Sequence, residues 1–108
     1  MTVFEQGDLI VVNFNPTRGH EPQNERPALV VSNSDYNLST SMTIVCPITS
    51  SDNGFYLHEP IPDGYPVSGA VVMEQLRAID LDARCARKIG HLDTPDLNPI
   101  LICLRSFF

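Results

Sequence analysis

Chain-breaking residues recur so often in this sequence that no long helix or strand can form before its C-terminal part. The 108 residues include nine prolines and six glycines, and the apolar runs between them are short and rich in Val and Ile. Proline removes a backbone donor, whereas β-branched residues favour strands. The sequence therefore predicts a mainly β fold. With 43% hydrophobic residues, we expect residues 1–108 to form one domain with one core.

Five to seven strands and one C-terminal helix are predicted. The runs 9–15 and 28–33 flank a polar stretch at 16–25, which predicts a hairpin with an exposed loop, and the bulk of the first run suits a strand buried on both faces. A turn or single helical turn is expected at 35–38. Together the elements predict a small, twisted, barrel-like sheet closed by the helix. Further strands are predicted at 42–49, 55–58, 69–74, within 75–87 and at 88–92.

Two prolines set finer expectations for the fold. Pro47 lies inside a strand-like run, so that strand should be at a sheet edge or bulged. Asn98 and Pro99 are typical of a helix N-cap and first helical position. The C-terminal helix should therefore begin there and present one apolar stripe, made of Ile100, Leu101, Leu104 and Phe108.

The cysteines and the N-terminus indicate a cytoplasmic protein. Cys46, Cys85 and Cys103 are odd in number and lack Cys-x-x-Cys spacing, which fits neither a disulfide framework nor a zinc ribbon. We expect inert thiols in apolar surroundings. The N-terminus has no positively charged segment, and no apolar run approaches the roughly 20 residues of a membrane helix. The sequence therefore predicts neither export nor a membrane partner.

Charge and motif content exclude several classes of function. The formal net charge of −6 argues against a protein that coats nucleic acid through general phosphate contacts. The sequence has no glycine-rich phosphate loop, no metal-spaced His/Cys/Asp cluster and no Gly-x-Ser-x-Gly elbow. We therefore expect no cofactor and no metal.

Arg26 and Thr49 are the first candidates for chemistry. Arg26 precedes a proline, which favours extended backbone and holds the guanidinium at a loop-to-strand junction. It is either an ordinary surface arginine or a planar fork for a phosphate. Thr49, at the end of an apolar run, either caps a turn or binds a phosphate through its hydroxyl. An arginine and a hydroxyl on one phosphate would suit phosphoryl transfer without a metal.

The histidines and the late basic residues leave alternatives open. His58 and His91 lie in strand-like runs and are expected to be structural, whereas His20 in the polar loop is a candidate for substrate contact. Positive charge is concentrated late in the chain. It forms a basic face for RNA or pairs with Asp80 and Asp82, and its members are Arg77, Arg84, Arg87 and Lys88.

Ordered sequence blocks resemble the successive motifs of the MazF/PemK toxins over nearly the whole chain. The ordered set is specific, although each block alone would be weak. The blocks are Gly-Asp-Leu-Ile at 7–10 followed by Asn-Phe-Asn-Pro-Thr-Arg-Gly-His-Glu at 13–21, Arg-Pro-Ala-Leu-Val-Val-Ser-Asn at 26–33, Pro-Ile-Thr-Ser at 47–50, and Gly-Ala-Val-Val-Met-Glu-Gln-Leu-Arg at 69–77.

The resemblance implies a homodimeric toxin of a type II toxin–antitoxin system with the small SH3-like barrel of CcdB/MazF type and a C-terminal helix. It implies metal-independent cleavage of single-stranded mRNA at short sequences, leaving a 2',3'-cyclic phosphate and a 5'-hydroxyl. Arg26 and Thr49 match the catalytic pair of that family. Since arginine loses its proton only above about pH 12, neutralising the phosphorane charge is a better justified role for Arg26 than proton transfer. Thr49 would position the phosphate.

The resemblance also implies RNA-binding residues and partners. The loop 16–25 would form part of the RNA groove and be covered by a MazE-like antitoxin, whose acidic C-terminal segment competes for that groove. Operator DNA would be bound only through the antitoxin complex. Single-stranded bases are usually recognised at their edges and by stacking. The implied RNA-binding residues are Asn13, Arg18, His20, Glu21, Ser50, Gln75 and Arg77.

One departure from the family pattern leaves alternatives open. Gln-Asn-Glu at 23–25 replaces the glycine or basic residue that often precedes the Arg-Pro block, which puts substrate preference and turnover in doubt. One alternative is a CcdB-like toxin that binds a topoisomerase and is not a nuclease; another is an inactive regulator that binds only antitoxin and operator. RNA binding by an acidic chain would require the basic residues to gather in one groove, namely Arg26, Arg77, Arg84, Arg87 and Lys88.

Overall fold

Seven short strands form one antiparallel sheet in the structure, a computed structural model that describes residues 3–14 and 25–108. The mainly β prediction is confirmed, and the final helix is present. The polar loop lies outside the described residues apart from Glu25. The elements are β1 (Asp8–Asn13), β2 (Glu25–Val30), α1 (Ser34–Thr40), β3 (Thr43–Thr49), β4 (His58–Pro60), β5 (Ala70–Val72), a 3-10 turn (Met73–Gln75), β6 (Arg77–Ile79), β7 (Arg87–His91) and α2 (Thr94–Arg105).

The strand order is β4-β5-β3-β2-β1-β7, and β6 also pairs with β3. The strand β3 has hydrogen-bonded partners on both sides. On one side it pairs with β2; on the other side it pairs with β6 over Thr43–Val45 and with β5 at Ile48 and Thr49. Of the two alternatives predicted for this strand, an edge position or a bulge, the edge position is therefore wrong. Pro47 lies between the segment of β3 that pairs with β6 and the segment that pairs with β5. Such an interruption of the hydrogen-bonded ladder accommodates a proline within a strand.

The central strands are buried on both faces. Along β1, Leu9 belongs to one apolar cluster, whereas Ile10 and Val12 belong to another. Side chains alternate between the two faces of a strand, so a run without polar residues feeds both clusters. This confirms the prediction for the first apolar run. The helix α2 covers the first cluster through Leu97, Ile100, Leu101 and Leu104.

The start of α2 differs from the prediction. The helix begins at Thr94 with Asp93 as N-cap, and Pro99 lies inside it. The Tyr65 hydroxyl accepts a hydrogen bond from the backbone N–H of Asp93 at 3.0 Å and so holds the earlier start. Because the helix ends at Arg105, Phe108 lies beyond the buried stripe and is 97% exposed. Among the described residues, neither helix has the length and apolar character needed to cross a bilayer.

Two further boundaries move. The fourth strand begins at His58 rather than at residue 55, so that Phe55 and Tyr56 are exposed on the turn before it. The run 69–74 divides into β5 and the 3-10 turn. Both changes place polar residues close to the C-terminal end of β3.

A buried asparagine ties α1 to the segments before β1 and after β2. The amide of Asn37 donates hydrogen bonds to the carbonyls of Phe4 at 2.8 Å and Ser32 at 3.2 Å, and its oxygen accepts one from the Ser32 hydroxyl. Asn37→Ala is expected to lower the free energy of unfolding by about 2 kcal/mol, because buried polar groups lose their partners. Urea denaturation measures this change. Asn98→Ala, at an exposed position of α2, is the control; equal losses in the two variants would contradict the prediction.

Candidate active site

An open cavity of about 560 Å³ lies beside the end of β3, between β2 and the 3-10 turn. The described residues around it come from five separate segments of the sequence. Two of them are arginines, which gives the cavity positive charge in a chain of net charge −6. Its lining is made of Phe14, Arg26, Pro47, Ile48, Thr49, Ser51, His58, Val72, Gln75 and Arg77.

Arg26 lies near the start of β2, where it is paired with Val12 of β1. One of its guanidinium nitrogens donates to the carbonyl of Glu25 at 2.9 Å, and the side chain remains exposed. The strand pairing fixes the backbone on which the guanidinium is mounted. Arg26 can therefore present its planar N–H groups to an anion entering the cavity.

Thr49 is the last residue of β3 and pairs with Ala70 of β5. Its hydroxyl oxygen accepts a hydrogen bond from the backbone N–H of Ser51 at 3.1 Å. The two interpretations of Thr49 are thus compatible, because the residue caps the turn and also lines the cavity. The hydrogen of the same hydroxyl can be donated to a phosphate oxygen.

Arg77 lies over the ring of Phe14, with its guanidinium carbon 5.4 Å from the ring centroid. This cation–π contact orients a long side chain at the cavity without neutralising its charge. Gln75 comes from the 3-10 turn just before it. Gln75 and Arg77, two of the predicted RNA-binding residues, therefore line the same cavity as Arg26 and Thr49. Phe14 also lines this cavity, and the sequence analysis did not identify it as a candidate.

His58 is held between two carboxylates. Its Nδ1 is 3.1 Å from Asp52 and its Nε2 is 2.9 Å from Glu74. The hydrogen bond to Glu74 raises the pKa of His58 above its ordinary value; burial opposes this, and Asp52 adds to it. The pKa of Asp52 is lowered by hydrogen bonds from the backbone of Gly54 and from His58. The histidine expected to be structural therefore also lines the cavity.

The remaining predicted RNA contacts are placed differently. Asn13 is buried at the end of β1, and its backbone N–H donates to the carbonyl of Arg84 at 3.1 Å. Ser50 is exposed beside Thr49, but Ser51 contributes to the lining instead. The described residues do not include Arg18, His20 and Glu21.

The late basic residues do not gather in the cavity as a group. Arg84 donates to the carbonyl of Phe14 at 2.6 Å and so holds the backbone of a residue that lines the cavity. Arg87 pairs with Glu25 at 3.3 Å, and Lys88 pairs with buried Asp8 at 3.2 Å. Arg84, Arg87 and Lys88 therefore have these partners instead of Asp80 and Asp82, with which pairing was the expected alternative. Of the five basic residues considered for the groove, Arg26 and Arg77 line it.

The cysteines lie outside the lining of the cavity. Burial raises the pKa of Cys46 to about 12, with a further contribution from Glu74, so this thiol stays protonated and inert. Cys103 is partly buried. Cys85 is exposed at a positive φ of 53°, and the expectation of apolar surroundings is wrong for it.

Comparison with known proteins agrees with the sequence blocks. The family model described as PemK-like, MazF-like toxin of type II toxin–antitoxin systems matches residues 5–108. The endoribonuclease toxin ChpB of Escherichia coli is 43% identical over 93 residues, which cover 81% of this chain and 78% of ChpB. The endoribonuclease toxin MazF of the same species is 36% identical over 96 residues, covering 89% of this chain and 86% of MazF.

A solved structure matches the fold along its full length. The crystal structure of MazE-MazF from Deinococcus radiodurans contains a chain that superposes with a TM-score of 0.85 at 29% identity. The match covers 99% of this chain and 96% of that chain. The sheet that carries the cavity and the final helix therefore have the arrangement of a MazF structure.

Proposed function

The chain belongs to the family of PemK-like, MazF-like toxins of type II toxin–antitoxin systems, and from this premise we propose that it cleaves single-stranded RNA at the cavity, with Arg26 and Thr49 as the catalytic pair. ChpB and MazF, the relatives described above, are endoribonucleases, and the same activity is assigned to this chain. The observation that carries the proposal is geometric. Two residues from separate sequence blocks line one cavity at the ends of paired strands.

The reaction is a transesterification within the RNA. The 2'-hydroxyl oxygen attacks phosphorus as it loses its proton to solvent, and the bond from phosphorus to the 5'-oxygen breaks. The 5'-oxygen takes up a proton, which leaves a 2',3'-cyclic phosphate and a 5'-hydroxyl. Arg26 neutralises the charge that develops on the phosphorane oxygens, and the Thr49 hydroxyl donates to one of them. These groups supply the charge stabilisation for which other phosphoryl-transfer sites use a metal ion.

The RNA strand on either side of the cleaved bond is bound by the rest of the lining. Arg77 attracts the neighbouring phosphate, and the Gln75 amide can recognise the edge of a base. The cation–π contact with Phe14 keeps the guanidinium in place before RNA arrives. Family resemblance supports further contacts from Asn13, Arg18, His20, Glu21 and Ser50.

The partners follow from the family and its structures. The chain is paired with a MazE-like antitoxin, as in the MazE-MazF crystal structure, and the antitoxin and RNA compete for the cavity. It works as a homodimer, with residues 1–108 forming one toxin domain in the bacterial cytoplasm, where mRNA is translated. Operator DNA is bound through the antitoxin complex.

Cleavage of a long single-stranded RNA in EDTA, with the ends of the fragments analysed, tests the proposal. Wild-type protein is expected to give discrete cuts with cyclic-phosphate ends. Thr49→Ala should be about tenfold to hundredfold slower, because one hydrogen bond to a charged group is lost. Thr40→Ala, at an exposed position of α1, should match the wild type. A folded wild-type protein that makes no cuts would overturn the proposal.

The two alternatives make different predictions in that assay. A CcdB-like protein would be toxic through a topoisomerase without cutting RNA, and the endoribonuclease relatives favour cleavage over this mode. An inactive regulator would bind its antitoxin and leave RNA intact. RNA cleavage by the wild type therefore separates both alternatives from the proposed function.

A further inference from the structure

The His58 bridge links the side chains of two segments, which also meet in a backbone hydrogen bond from the N–H of Met73 to the carbonyl of Leu57 at 3.1 Å. Asp52 follows the end of β3, and Glu74 belongs to the 3-10 turn after β5. The register of β4 on β5 places His58 opposite Val72, two residues before Glu74. The imidazole side chain is 11% exposed, which leaves its ring largely enclosed between these groups.

The two bridged segments carry different parts of the cavity lining. The first holds Thr49 and Ser51, and the second holds Gln75 and leads into Arg77. A change in the separation of Asp52 and Glu74 would therefore move the catalytic hydroxyl relative to the groups that bind the flanking RNA. Misplacement of reacting groups by about 1 Å can cost about a hundredfold in rate.

We propose that His58 is a positioning residue of the cleavage site, whose imidazolium holds the Asp52 and Glu74 segments at the separation that lets Thr49 and Arg77 engage one RNA strand. This inference rests on the proposed function. A doubly protonated ring donates to both carboxylates, whereas a neutral ring has a single N–H and must leave one carboxylate facing a lone pair. The bridge is therefore complete only while His58 is charged.

The charged groups around His58 decide the direction of the pH dependence. Asp52 and Glu74 contact the ring, and the edge-to-face contact of Phe55, with centroids 5.4 Å apart, adds no charge. Arg26 and Arg77 are the other charged residues of the described cavity lining, and neither is among the groups that shift the pKa of His58. Because the hydrogen bonds to Glu74 and Asp52 raise the pKa of His58, the bridge stays intact to a higher pH than an unpaired histidine would allow and weakens above it.

Kinetic constants measured across roughly pH 5 to 9, which spans the ordinary histidine range, test the proposal. Wild-type kcat is expected to fall on the alkaline side. His58→Ala should lower kcat by about tenfold to hundredfold and remove that alkaline limb, with a smaller change in KM. His58→Arg keeps a permanent cation that can bridge both carboxylates. It should recover most of the activity and show no alkaline limb.

Matched variants separate positioning from other roles. His91 also pairs with a carboxylate, at 2.9 Å from Asp8, but lies outside the cavity lining. His91→Gln should therefore keep the wild-type pH profile. Asp52→Asn and Glu74→Gln each remove one charge from the bridge and should move the alkaline limb to lower pH. Unchanged limbs in both carboxylate variants would overturn the proposal.

The result for His58→Arg could also overturn the proposed positioning role of His58. If His58→Arg folds and is as slow as His58→Ala, the histidine acts through proton transfer rather than through its charge. NMR titration of the His58 ring gives a readout that does not need RNA: its pKa should fall in Asp52→Asn and Glu74→Gln. Wild-type protein that fails to cut RNA contradicts the proposed function, whereas a cutting enzyme indifferent to His58 substitution contradicts this inference alone.

Discussion

Arg26→Ala is expected to reduce RNA cleavage by a thousandfold or more. Arginines that stabilise a transferring phosphoryl group contribute about 10³ to 10⁵ to the rate in other enzymes. Arg26 is on a paired strand and lines the same cavity as Thr49, so its charge is placed before the substrate binds. The phosphorane gains negative charge that the bound RNA lacks, and the guanidinium therefore stabilises the transition state more than the ground state. The loss should appear chiefly in kcat.

Arg26→Lys distinguishes geometry from charge. An ammonium group keeps the positive charge but lacks the planar fork that bonds two phosphate oxygens. Its kcat should stay well below the wild-type value while its RNA affinity remains closer to normal. Arg105→Ala, at an exposed position in the last turn of α2, removes a positive charge that is outside the cavity lining and should cut RNA normally.

Single-turnover cleavage measured at saturating RNA in EDTA gives these rates directly. Folding of each variant is checked by its urea midpoint. Cleavage by Arg26→Ala within threefold of the wild type would contradict the proposed catalytic role. If that variant also kept its toxicity in cells, the CcdB-like alternative would gain support.

Much of the fold could be predicted because the local pattern of apolar residues indicates which segments are buried. The unbroken apolar run of β1 required two covered faces, and alternate residues supply both clusters. The start of α2 could not be chosen locally, since Asp93, Thr94 and Pro95 give a start signal as good as that of Asn98 and Pro99. The distant hydroxyl of Tyr65 favours the earlier one.

The candidate site was predictable only where a sequence block marked it. Arg26 and Thr49 were found because each begins or ends a recognisable run, and the pairing of β2 with β3 then brought them to one cavity. His58 lies outside the sequence blocks, so no motif identified it. Its relation to Glu74 depends on the register of β4 against β5, and its relation to Asp52 depends on the path of a turn. Contacts of this kind are set by tertiary structure rather than by spacing.

Gly69→Ala is expected to destabilise the protein by about 3 kcal/mol and to damage the site together with the fold. Gly69 has a φ of +121°, a region that costs other residues about 1–3 kcal/mol. A Cβ atom there would lie 2.1 Å from the carbonyl oxygen of Thr49 and 2.9 Å from its carbonyl carbon. Since Thr49 pairs with the next residue, Ala70, the two strands would have to separate beside the Thr49 hydroxyl, which is proposed to act in catalysis.

Gly64→Ala separates these two causes. Gly64 also has a positive φ, of +103°, but a Cβ atom there would meet nothing within 4 Å. The free energy of unfolding of Gly64→Ala should fall only by the backbone strain, about 1 kcal/mol in an open turn, and its cleavage rate should be unchanged. Urea denaturation and cleavage rates measured on both variants test the comparison. Equal stabilities and equal rates would contradict it, because the close approach of Gly69 to Thr49 is what ties the backbone at this position to the chemistry.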